Sequence, residues 1–173
     1  GYSYTPVRIR TAGTDYYALF NFVSSGMNRY GLIRLNSTTN ALSFVRQINN
    51  TGNTLDLAAV DFILDGGGTN VYVLSNAYDA MNNQTDLCVT KMDVSTSTPV
   101  ILWNNIYRNL TRDEFGSNII LQNGQLFASS ISVSTTSMLD RGPLLLKLDV
   151  NGGFIDARIY KYTSTCTSAR SAG

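Results

Sequence analysis

One short pattern occurs three times along this chain, and it limits the fold more than any other feature. It reads Gly31-Leu32-Ile33-Arg34-Leu35-Asn36, then Leu87-Cys88-Val89-Thr90-Lys91-Met92-Asp93, then Leu144-Leu145-Leu146-Lys147-Leu148-Asp149. The basic residue at Arg34 returns as Lys91 and Lys147, 57 and then 56 residues later. Each copy is followed by a small polar turn and a second apolar run, at 42–48, 100–107 and 154–160. A fixed period of this size marks a repeat architecture. Each unit is one supersecondary element that covers its apolar face only by stacking on a neighbour.

The residues within each repeat are those of strands and tight turns. Val, Ile, Leu, Tyr, Phe and Thr fill short runs bounded by Gly, Asn and Asp, and no helical period is sustained. At most one helical turn is expected, at Asp113-Glu114-Phe115. Four strands per repeat are expected: 5–10, 16–23, 30–35 and 42–48; 57–64, 71–76, 86–93 and 100–107; 118–121, 126–130, 144–149 and 154–160. Asp65-Gly66-Gly67-Gly68 and Asn123-Gly124 supply hairpin turns. Polar segments at 77–85 and 132–142 read as variable loops, the usual seat of binding specificity. The expected fold is therefore all-β, with three four-stranded antiparallel units of about 56 residues resembling propeller blades; a β-sandwich of twelve strands is the alternative. The chain is read as one repeat domain with units 1–54, 55–112 and 113–162 and a tail at 163–173. Because it begins at Gly1 rather than Met, a processed chain or a piece of a longer one is expected.

The wording of the repeats resembles that of secreted bacterial and protist β-propeller repeats. Lys91-Met92-Asp93 and Lys147-Leu148-Asp149 followed by Asn151-Gly152 match their lysine–apolar–aspartate and asparagine–glycine words. Ile101-Leu102-Trp103, with Ile106-Tyr107 after it, resembles the strand that follows, and Asp65-Gly66-Gly67 their first hairpin turn. The resemblance implies fold and is nearly silent on activity. It also raises a problem of number, since closed propellers have about four to eight blades and this chain offers three.

Composition excludes several functions. Charged residues make up 14% of the chain and the net charge is +1, so there is no basic stripe for nucleic acid. No apolar run approaches the length of a membrane span. Histidine is absent, which removes the usual general base and the commonest metal ligand. No Ser-x-x-Lys occurs. The eleven aspartates sit mainly at turns and strand ends, where Asp caps its own backbone. No catalytic residue, cofactor site or metal site is expected. The triple glycine lacks the Lys-Ser/Thr of a phosphate loop.

The remaining candidates are few. Asp61 and Asn118 fall at equivalent places on the first strand of their repeats, which lines the channel of a propeller, so they are candidate ligand or channel-lining residues. Trp103, Tyr72, Tyr107 and Tyr160 can stack on sugars or pack in the core. Cys88 reads as a buried thiol, and Cys166 lies in a polar tail; a disulfide between them and free thiols are both open. Four glycosylation sequons begin at Asn36, Asn49, Asn83 and Asn109, all in expected turns. The expectation is an extracellular or cell-surface, non-enzymatic structural or adhesive module. It would pair with copies of itself or with further blades of a longer chain, as part of a ring or filament. A lectin that binds glycans through its inter-strand loops is the alternative.

Overall fold

The computed structural model describes residues 3–48 and 55–160. Its strands are β1 (Tyr4–Ala12), β2 (Asp15–Ser24), β3 (Met27–Asn36), β4 (Leu42–Ile48), β5 (Asp56–Leu64), β6 (Asn70–Asp79), β7 (Gln84–Asp93), β8 (Val100–Tyr107), β9 (Arg112–Gln122), β10 (Gln125–Ser134), β11 (Arg141–Asp149) and β12 (Phe154–Ile159). They form three separate sheets, β1–β4, β5–β8 and β9–β12, each a simple antiparallel meander. Three sheets are not the two of a sandwich. The sheets approach one another along their first strands, β1 against β5 and β5 against β9, as the blades of a propeller do around its axis.

The recurring word lands on the third strand every time. Arg34 pairs with Tyr17, Lys91 with Tyr72 and Lys147 with Phe127 across the second and third strands. The next residues, Leu35, Met92 and Leu148, pair with Tyr16, Val71 and Leu126 on the opposite face. A shared word in a period-2 element places shared faces. Between third and fourth strands the register shifts at the same place in each sheet, after Arg34, Lys91 and Lys147.

The middle sheet is buried on both faces. Val71, Val73, Cys88 and Met92 pack back against Tyr17, Leu19, Tyr30 and Leu32 of the first sheet. Tyr72, Leu74, Leu87 and Val89 pack forward against Leu126, Ala128, Leu144 and Leu146 of the third. Hence the continuous apolar runs in β6 and β7, where a one-faced sheet would alternate. Each outer sheet has one face packed on the middle sheet, and among the described residues its other face has no such cover. Ile9, Tyr16 and Val45 are exposed on the back of the first, and Phe115, Ile131 and Leu145 on the front of the third. On the first sheet Phe20 lies over Gly31, where an added Cβ would run into its ring; an aromatic ring covers the backbone that glycine leaves bare.

At Asp113-Glu114-Phe115, where at most one helical turn is expected, β9 starts at Arg112 and runs straight through. One expectation is corrected. The polar segments expected as loops at 77–85 and 132–142 shrink to 80–83 and 135–140, because β6 and β7, and β10 and β11, extend into them. Some of the polar side chains there are buried, namely those of Asp79, Gln84 and Ser132, while Asn82, Asn83, Thr135 and Thr136 stay exposed.

Candidate functional site

Among the described residues, two gatherings of polar groups join the sheets. The first is the row of inner strands. Each inner strand carries a register shift, between Pro6 and Arg8, Ala59 and Asp61, and Gly116 and Asn118. A bulge re-aims the residue that follows it. Those residues, Arg8, Asp61 and Asn118, pair with Leu19, Leu74 and Ser129 and so hold the same place in the three sheets. They meet. Arg8 Nε is 3.2 Å from Asp61 Oδ1, and Asn118 Nδ2 donates to Asp61 Oδ2 at 2.6 Å. Arg10 Nη2 donates to both carboxylate oxygens, at 2.9 and 3.2 Å, and the Ile119 N–H to Oδ2 at 3.1 Å. Asp61 is fully buried, and all three sheets converge on it. The two channel-lining candidates therefore bond to each other and join sheets.

A second set of contacts repeats along both interfaces. The Arg34 guanidinium lies over the Tyr17 ring at 5.8 Å and Lys91 Nζ over Tyr72 at 5.4 Å. Each cation then reaches across to the next sheet: Arg34 Nη1 donates to Val94 O at 2.9 Å, and Lys91 Nζ to Val150 O at 3.3 Å. Asn21 and Asn76, four residues beyond those aromatics, hold the next sheet's inner strand just before its bulge. Asn21 Oδ1 accepts from Ala59 N at 2.8 Å, and Asn76 Oδ1 from Gly116 N at 2.8 Å.

The second polar gathering lies between the second and third sheets, at the end where β8 crosses to β9. A cleft of about 690 Å³ there is lined by apolar residues such as Leu146 and Phe154, by Arg108 and Thr111, and by Glu114. Arg112 Nε donates to Ser132 Oγ at 2.7 Å, and Ser132 Oγ donates to Glu114 Oε1 at 3.2 Å. Glu114 is 2% exposed and its Oε2 has no hydrogen-bond partner. Burial, helped by the nearby charges of Asp86 and Asp113, raises its pKa to about 7. Burial also raises the pKa of Asp86, although Arg108 Nε lies 3.4 Å from it. At neutral pH Glu114 can thus donate or accept a proton. Sequence reading missed this residue because one Glu amid Asp, Phe and Ser carries no spacing motif; its burial arises only when two sheets close over it.

The other candidates are distributed through the molecule. Cys88 is buried and its Sγ donates to Asn104 Oδ1 at 2.7 Å; burial raises its pKa to about 11, so it stands as a thiol. Cys166 and Asn49 lie outside the described residues. Tyr72 is buried with its ring 6.2 Å from that of Trp103. Tyr107 Oη donates to Gly152 O at 2.8 Å, and Tyr160 is exposed. Among the sequon residues, Asn83 is exposed in the β6–β7 turn, Asn109 is half-buried with its Oδ1 accepting from Thr111, and Asn36 Nδ2 is turned toward Asp15 at 3.4 Å. Among the described residues no group of three or more Cys, Asp or Glu side chains is placed to hold a metal ion.

No protein-family model matches the sequence, and no curated protein does so. Solved structures do match. An acylaminoacyl peptidase from Pyrococcus horikoshii aligns over 94% of this chain and 26% of its own, with 8% identity and a TM-score of 0.56. An acylaminoacyl peptidase in complex with Z-Gly-Gly-Phe-chloromethyl ketone aligns over the same shares, with 9% identity and a TM-score of 0.54. The chain spans about a quarter of the length of these structures, and at such identities the likeness concerns fold alone. It is an all-β protein of three propeller-blade-like, four-stranded antiparallel sheets.

Proposed function

We propose that this chain is a non-enzymatic structural module, extracellular or at the cell surface, that works by joining a larger assembly through its two terminal sheets. The observation that carries this reading is the state of those sheets. Interior sheet faces are closed by a repeated set of contacts, yet the back of the first sheet and the front of the third keep large apolar side chains in solvent, among them Ile9, Tyr16 and Val45 at one end and Phe115, Ile131 and Leu145 at the other. Contiguous apolar faces of this kind mark interaction surfaces. The lack of histidine in the sequence and the engagement of Asp61 by four partners leave little for hydrolysis. The peptidases of similar fold lend a hydrolase role no support beyond architecture, because propellers serve many functions. A Ser-, Thr- and Asn-rich surface with little charge supports the extracellular placement.

Sedimentation of the full chain, from about 1 to about 100 µM, tests the reading, since contacts of this class form in that range. Concentration-dependent association, weakened at least tenfold by Leu145→Asp, is the expected result. A monomer throughout the range overturns it.

A further inference from the structure

The ends of the stack are complementary to each other in detail. Lys147 Nζ lies over the Phe127 ring at 5.6 Å, the same arrangement that Arg34–Tyr17 and Lys91–Tyr72 present to the sheet in front of them. In both internal interfaces the cation donates to a carbonyl three residues beyond the next sheet's own cation, at Val94 and Val150. The first sheet's counterpart is Ser37. Its N–H bonds to Thr14 O at 2.7 Å as that of Val94 bonds to Thr69 O at 2.8 Å.

One position breaks the pattern at both ends at once. Asn21 and Asn76 capture the N–H of the residue before the next sheet's bulge, Ala59 or Gly116. The third sheet has Ile131 where those asparagines stand. The first sheet's pre-bulge residue is Pro6, which has no N–H to give. An asparagine facing Pro6 would bury an amide oxygen without a donor, at a cost; an isoleucine covers the ring. The exchange makes sense if Ile131 and Pro6 face each other. Within one chain they lie on opposite ends of the stack.

We propose that the front of the third sheet docks onto the back of the first sheet of a second copy of this chain, head to tail, in the geometry of the two internal interfaces. Lys147 then donates to the carbonyl of Ser37 of the second copy, and Ile131 covers its Pro6. Arg8 of the second copy comes beside Asn118, whose side-chain oxygen accepts from a guanidinium and so continues the inner polar row. The contact is heterologous, so it closes a ring or extends a filament according to its rotation. This inference rests on the assembly reading above and adds its partner and register.

Cross-linking tests it. Pro6→Cys and Ile131→Cys are made separately in the full chain carrying Cys166→Ser; buried Cys88 stays. Both new positions are exposed, and circular dichroism checks that each variant folds. The variants are incubated alone and mixed, with oxidised glutathione. A disulfide needs Cα atoms about 4.4–6.8 Å apart. The expected result is a 6–131 linked dimer in the mixture, in large excess over either variant alone. Lys147→Glu, which sets a carboxylate against a carbonyl, is expected to weaken association about tenfold. Association with 131–131 linkage, or with no 6–131 linkage in the mixture, overturns the head-to-tail contact and leaves the assembly reading standing. A chain that stays monomeric and unlinked overturns both.

Discussion

Replacement of Asp61 by alanine strikes a buried residue on which all three sheets converge. The carboxylate is fully buried and accepts from Arg10, Asn118 and the Ile119 N–H, with Arg8 beside it. Two kinds of loss follow. The cations lose their counter-charge, and removing one partner of a buried pair costs about 3–5 kcal/mol. Here the lower end applies, since the Arg8 and Arg10 side chains are 47% and 28% exposed and can turn toward water. The Ile119 N–H, buried between sheets, loses its acceptor, which adds about 1–2 kcal/mol. The sum is about 4 kcal/mol, and for a chain of this size that lowers Tm by on the order of 10 °C. Asp61→Asn keeps the volume but points amide hydrogens at existing donors, so about 2–3 kcal/mol is expected. Asn118→Ala removes one hydrogen bond to the charged group and should cost about 1–2 kcal/mol. Urea unfolding, followed by circular dichroism and by the fluorescence of the single tryptophan Trp103, measures all three. A loss below about 1 kcal/mol for Asp61→Ala would refute the view that the hub holds the sheets together.

Glu114 makes stability depend on pH. Its folded pKa of about 7 lies above its unfolded value, so the folded state binds the proton more tightly and stability falls as pH rises from about 4.5 through about 7. Glu114→Gln keeps an acceptor for Ser132 and removes the charge; it should stabilise the protein by about 2–3 kcal/mol near pH 8 and leave it nearly unchanged near pH 4, as urea titrations at the two pH values would reveal. Gly31→Ala should cost about 1–3 kcal/mol, because the new methyl meets the Phe20 ring and drives it off the outer face of the first sheet; unchanged thermal stability would show that the ring has room to move.

Twelve strands and their grouping in fours were legible from the residues alone. Apolar period-2 runs, punctuated by Gly, Asn and Asp, specify strands through local geometry, and a repeated word such as Lys91-Met92-Asp93 specifies equivalent strands because side chains alternate. That logic also put Leu35, Met92 and Leu148 on matching faces. It failed where polarity and exposure part company. Gln84 and Ser132 read as loop because isolated polar residues prefer water, whereas the structure buries both in strands. Only the tertiary structure shows that Asp61 and Asn118 touch, since 57 residues separate them and a bulge before each aims both into the same junction. The same holds for Glu114: its altered acidity comes from desolvation by a neighbouring sheet, and no local sequence encodes a dielectric. Strand identity is a property of a few consecutive residues and survives in one dimension, while the hub, the cleft and the open terminal faces are properties of how sheets stack.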